Sequence, residues 1–185
     1  GLPLQTLTGL QKTIAQVCEL RPERIAFYSY AHVPWKSPAQ RRYTEADLPS
    51  PEEKRKLYEA GRDLLKAAGY QDIGMDHFAL PEEGLAIAFR NGKLHRNFMG
   101  YTTTSSGLLI GLGASAISDT GDAFHQNQRE VEAWQEAVAS SSFAWFKGHT
   151  LTAEDLEIRQ YILEIMCQGK TTLPESLWNE ANARF

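Results

Sequence analysis

A helix, a stop and a strand follow one another without slack at the start of this chain, and that order limits the folds open to it. From Thr6 to Leu20 the apolar residues Leu7, Leu10, Ile14, Val17 and Cys18 recur at helical spacing. Arg21-Pro22-Glu23 ends the run, because proline lacks an amide hydrogen and disfavours helical geometry in the residue before it. Arg24 to Tyr30 (RIAFYSY) is short, aromatic and β-branched, and reads as a strand. Helix, tight connection and strand predict parallel α/β architecture. Such folds place ligands at the C-terminal ends of strands, where Ala31-His32-Val33-Pro34 stands here.

Ser50-Pro51-Glu52-Glu53 predicts a second helix start, with Ser50 as cap, Pro51 in the first turn and Glu53 closing a capping box. That helix runs to Ala68, buries Leu57, Ala60, Leu64, Leu65 and Ala68, and stops at Gly69. A short strand at 70–74 leads into Gly74-Met75-Asp76-His77-Phe78-Ala79, followed by a helix at 81–90 and an Asn91-Gly92 turn. The apolar run 107–117 (GLLIGLGASAI) is too short to span a bilayer and reads as a buried strand with close backbone approach. Residues 126–140 return to helix with Val131, Trp134 and Val138 on one stripe, and 143–146 is a candidate edge strand. A helix at 152–166, capped by Thr152 with Asp155 as its third-position acid, is expected to bury Leu156, Ile162 and Met166, with one more helix after Gln168. Parallel strands are therefore expected around 24–30, 70–74 and 108–117.

Composition excludes more than it assigns. The 185 residues carry a formal charge of -4, and the basic runs Arg41-Arg42 and Lys54-Arg55-Lys56 stand among acids, which points away from nucleic acid. Two cysteines, Cys18 and Cys167, fall in helical patterns far apart, so a disulfide framework is not expected, a reducing, cytoplasmic compartment is, and metal-ligand spacing is missing. Neither a signal peptide nor a membrane-spanning run is read in the sequence. Gly111-x-Gly113-x-Ser115 lacks both a full dinucleotide fingerprint and a nucleophile elbow.

Two polar stretches carry the candidate chemistry. Asp76 could orient a ligand donor while His77 exchanges a proton; the plainer reading is local hydrogen bonding that locks the loop. Leu94-His95-Arg96-Asn97 offers an arginine able to clamp a carboxylate in a two-pronged fork, with His95 beside a second anionic group; a solvated turn is the plainer reading. Tyr101-Thr102-Thr103 lines either a polar loop or a hydroxyl-rich pocket wall.

From Gly1 to about Cys167, the segments Tyr30-Ala31-His32-Val33-Pro34, Ala39-Gln40-Arg41, Ala46-Asp47-Leu48-Pro49-Ser50-Pro51, Gly74 to Ala79, Leu94 to Phe98, Gly100 to Thr103, Gly113-x-Ser115-Ala116-Ile117-Ser118 and Gln126-Asn127-Gln128 together closely resemble the second half of the oxygen-independent coproporphyrinogen III oxidase family. The resemblance implies the last part of an incomplete (β/α)6 radical-SAM barrel over 1–120 and a mostly helical continuation over 121–185. It implies radical chemistry on coproporphyrinogen III, with S-adenosyl-L-methionine, a [4Fe-4S] cluster and an electron donor. The cluster's CxxxCxxC loop does not occur in these 185 residues, so this stretch alone is expected to hold no cluster and turn nothing over. Its opening Gly1-Leu2-Pro3 looks cut, and a sheet edge left without its neighbour would invite self-association. By the resemblance, Ala31 and Ile117 border S-adenosyl-L-methionine, and Asp76, His77, His95, Arg96 and Tyr101 are candidates for the substrate side, with Phe78 and Phe98 as apolar walls. The rival expectation is a non-catalytic tetrapyrrole-binding module or a haem-chaperone relative.

Overall fold

The structure, a computed structural model, describes residues 1–175, 177 and 178. It divides into two units, Gly1–Asn91 and Gly92–Phe185. In the first unit, α1 (Leu7–Leu20) begins where Thr6 accepts the Gly9 amide at 3.1 Å, and ends where Arg21 turns left-handed and donates its N–H to the Val17 carbonyl. The second helix, α2 (Pro51–Ala67), opens with the expected reciprocal cap: Ser50 Oγ accepts from the Glu53 amide, and the Glu53 carboxylate accepts from the Ser50 amide.

Strands β1 (Arg24–Ala26), β2 (Gln71–Gly74) and β3 (His77–Ala79) form one sheet in the order β1-β3-β2. Every pairing is antiparallel. The expected parallel neighbours are thus corrected: β1 and β2 run the same way, but the hairpin partner β3 lies between them. Leu10 and Ile14 of α1, Leu57 and Leu65 of α2, Phe78 of β3, and Tyr70 and Leu80 just outside the strands make the core. Gly61 matters to that core, because a Cβ there would stand 2.3 Å from the Phe27 ring. The bare position lets Phe27 stack on Tyr58 at 5.7 Å and meet Phe78 edge-on at 6.4 Å. A short helix, α3 (Gly84–Arg90), starts at buried Glu83, which accepts the Leu85 amide at 2.7 Å and is ion-paired with Arg24.

The second unit contains a hairpin, β4 (His95–Asn97) with β5 (Gly100–Thr102), and an antiparallel sheet of β6 (Ile117–Asp119), β7 (Ala123–Asn127) and β8 (Trp145–Thr150). Helices α4 (Val131–Ala139) and α5 (Ala153–Gln168) complete its described elements. Tyr101 Oη donates to the Met166 carbonyl at 2.7 Å and so fastens β5 to α5. The Thr152–Asp155 cap of α5 is as expected.

Several expectations need correction. Residues 108–117 do not form a strand and do not share a sheet with β1; a lone bridge joins Leu109 to Asp119, and β6 starts only at Ile117. Glycine at 111 and 113 and left-handed Ser115 break the run, while Leu108, Ile110 and Leu112 are exposed. Residues 126 and 127 finish β7 rather than start a helix. On α5 it is Cys167 that is buried, whereas Leu156 and Ile162 are exposed. The helix expected after Gln168 falls partly on residues 176 and 179–185, outside the described residues.

Candidate functional site

In the first unit the β2–β3 connection is two residues long, and both Met75 (φ 44) and Asp76 (φ 64) are left-handed. This is the mirror-type turn whose twist suits a two-residue hairpin, made here without the usual Asn-Gly pair. The strain is offset locally. The Asp76 carbonyl accepts the Phe27 amide at 2.8 Å, tying the turn to the chain leaving β1. His77 Nδ1 lies 2.7 Å from the Met75 carbonyl, which can only accept, so the proton sits on Nδ1. In the neutral ring Nε2 then accepts from the Tyr28 hydroxyl at 3.1 Å. Burial, a hydrogen bond to the Asp76 carboxylate and the nearby acids together push the Tyr58 phenol up to about 12. Asp76 and His77 are therefore held by Tyr58 and Tyr28, two phenols that sequence reasoning did not single out.

Ala31 lies in an extended segment pinned by one side-chain amide. Gln40 Oε1 accepts the Val33 amide at 2.6 Å, and Gln40 Nε2 donates to the Ala31 carbonyl at 3.3 Å. The segment leading into Ile117 is pinned in an analogous way in the second unit. Asn127 Nδ2 donates to the carbonyls of Gly111 (3.2 Å) and Gly113 (2.9 Å), and Gln126 Nε2 donates to Ser115 O at 3.1 Å. A Cβ on Gly111 would meet backbone atoms of Ile117 at 2.7 to 2.9 Å, so the two segments lie in direct backbone contact. Gly111→Ala is expected to separate them, break the Asn127 bonds and cost about 2 kcal/mol. Urea unfolding compared with Gly113→Ala checks this, since Gly113 has open space around it and carries only backbone strain.

His95, Arg96 and Tyr101 come together on the hairpin, where Arg96 stands directly opposite Tyr101. The Arg96 guanidinium lies 4.9 Å from the Tyr101 ring centre, and its Nη1 atom is buried with no hydrogen-bond partner. Arg96 lines a groove of about 540 Å³ whose apolar walls include Phe98, Phe124, Ile158 and Ile162. Phe98 meets Phe124 edge-on at 4.9 Å. Phe78, by contrast, is 1% exposed and belongs to the first unit's core, so it is no pocket wall.

The same groove holds a second guanidinium. Arg159 of α5 grips Asp119 of β6 through Nη1–Oδ1 (3.0 Å) and Nη2–Oδ2 (2.6 Å), reaches the Gly121 carbonyl at 3.3 Å and stacks over Phe124 at 5.2 Å. Burial pushes the Asp119 carboxyl up, but the Arg159 bonds, the Gly121 amide and the charges of Arg159 and His95 outweigh it and hold the group below the usual carboxylate range. Forty residues separate the partners, so no spacing rule could have paired them. Gln40 and Asn127 did leave a signal, since both stand in the motif segments.

Asp76, His77 and Ala31 thus lie in the first unit, and His95, Arg96, Tyr101 and Ile117 in the second. Among the described residues, no group of three or more His, Cys, Asp or Glu side chains could hold a metal ion, and no helix is long and apolar enough to cross a membrane. Cys18 and Cys167 are free thiols on α1 and α5.

No protein-family model matches the chain. It is 44% identical over 167 residues to the oxygen-independent coproporphyrinogen III oxidase of Escherichia coli, covering 90% of this chain and 36% of that protein. The Synechocystis protein of the same name is 42% identical over 175 residues, covering 95% and 38%. A solved structure of coproporphyrinogen III oxidase from Escherichia coli, described as a radical SAM enzyme, superposes with a TM-score of 0.87 at 43% identity, covering 91% of this chain and 39% of that one. The chain is therefore homologous, through about nine-tenths of its own length, to a little over a third of these relatives.

Proposed function

We infer, from this homology with a segment of the oxygen-independent coproporphyrinogen III oxidases, that the chain is the substrate-side part of a longer protein that oxidatively decarboxylates coproporphyrinogen III to protoporphyrinogen IX. In this reading α1 and β1 are the closing helix and strand of an incomplete (β/α)6 barrel. The outer edge of β1, unpaired among the described residues, meets the preceding barrel strand, or a second copy when that strand is missing. The segments around Ala31 and Ile117 would border S-adenosyl-L-methionine, which when bound would supply the hydrogen-abstracting chemistry for oxidative decarboxylation of a propionate side chain. Asp76 and His77 belong to the same substrate side.

The iron–sulfur cluster does not fit this chain. Cluster iron needs closely organised thiolates, whereas Cys18 and Cys167 stand one in each unit, and Cys167 is buried with its thiol pushed up by burial. The isolated chain is therefore proposed to be inactive. The comparisons lend no support to a non-catalytic module.

One observation carries the substrate assignment: a buried, unpartnered guanidinium nitrogen on Arg96 beside an apolar groove. Leaving a charged donor buried without a bond is costly, and a propionate carboxylate on a flat apolar ring supplies both the missing acceptor and the matching surface. Arg96→Lys keeps the charge and loses the planar fork. Titration of the chain with coproporphyrin III, followed by porphyrin fluorescence, should show affinity reduced about tenfold at an unchanged unfolding midpoint. A lowered midpoint with unchanged affinity would make Arg96 a structural tie, and no binding by either protein would remove the carboxylate reading.

A further inference from the structure

We propose that Asp119 is a specificity-determining residue, which limits the second unit's groove to one carboxylate by neutralising Arg159. The inference rests on the reading of Arg96 as the carboxylate anchor and extends it to the rest of the groove.

Two guanidinium groups line the same groove, and their states differ. Arg159 spends both terminal nitrogens on the Asp119 carboxylate, adds the Gly121 carbonyl, and has its face covered by Phe124. Arg96 has no carboxylate partner among the described residues, and its buried Nη1 has no acceptor. The Asp119 side chain is 13% exposed and stays ionised, so its charge cancels that of Arg159 within the groove. The other acid, Asp155, is already committed to the Thr152 cap and lies 3.4 Å from His149. One guanidinium is left for a ligand. A flat molecule bearing several carboxylates is then held in this groove by one of them at a time, with the others directed elsewhere or into solvent. Arg159 is a latent second anchor, released when Asp119 loses its charge.

Second-site rescue tests this. Coproporphyrin III is titrated against the 185-residue chain and three variants at one ionic strength, with thermal unfolding recorded for each. Arg96→Gln should lower affinity at least tenfold, Asp119→Asn alone should raise it about tenfold, and Arg96→Gln with Asp119→Asn should recover most of the loss through Arg159. If Asp119→Asn fails to unfold cooperatively, Asp119→Leu repeats the arm with an apolar side chain in its place. Loss of binding in Arg96→Gln that neither Asp119 substitution reverses, with the single Asp119 variant no tighter than the parent, would overturn the role of Asp119 and leave Arg96 standing. Unchanged binding in Arg96→Gln would overturn the anchor itself, and rescue that persists when Arg159→Gln is added would show that Arg159 is not the second anchor.

Discussion

Phe78→Ala should cost the first unit about 3–5 kcal/mol, which is a large share of the stability of an ordinary domain. Phe78 is 1% exposed, sits in the middle strand of the β1-β3-β2 sheet and packs with Leu10, Ile14, Leu57 and Leu65 from both long helices. Its ring also takes the edge-on contact of Phe27, which is itself fitted against Gly61. Removing it leaves a cavity that α1 and α2 can fill only by moving together. Loss of circular dichroism at 222 nm in urea measures the change, and Phe78→Leu should retain most of the stability because it conserves apolar volume. A cost below about 1 kcal/mol for the alanine variant would mean that this core can collapse around the gap, and that Phe78 does not organise it.

Helices were legible because their signals are local. Ser50 and Thr152 cap the helices they were expected to cap, closing reciprocal boxes with Glu53 and Asp155, while Thr6, read only as the first residue of the α1 pattern, proves to be that helix's cap. Strand pairing was not legible, because three-residue strands carry too little alternation to reveal their partners. The β2–β3 hairpin hid for a further reason: its turn places left-handed Met75 and Asp76 where Asn-Gly is usual, and the cost is offset by the His77 contact within the hairpin and by the Phe27 amide from the chain after β1. The run from Gly107 to Ile117 misled in the opposite direction. Its apolar residues are spaced like a strand, yet the segment is an arch held by the Asn127 and Gln126 amides. Of the candidate site, residue types such as Arg96 could be picked by chemistry alone. The groove around it could not, since Phe124 and Arg159 arrive from a separate strand and helix.

Arg159→Met should destabilise the second unit by about 2 kcal/mol at pH 7, short of the roughly 3–5 kcal/mol for breaking a fully buried pair because both partners keep some exposure. The loss comes less from the missing cation than from the Asp119 carboxylate left behind in a mostly buried place. Its dependence on pH separates this cause from simple loss of packing. In the parent chain Asp119 titrates below its unfolded value, so the pair's contribution is complete above about pH 4 and fades as the pH falls through the folded pKa. In the variant, burial without Arg159 raises the carboxyl, and protonation relieves the penalty earlier as acid is added. The two urea midpoints, read from tryptophan fluorescence in a Trp35→Phe background that leaves only the second unit's Trp134, Trp145 and Trp178, should therefore converge between pH 7 and pH 4. A gap that stays constant over that range would assign the effect to the lost contact with Phe124, and would remove the electrostatic role given to Asp119 in shaping the groove.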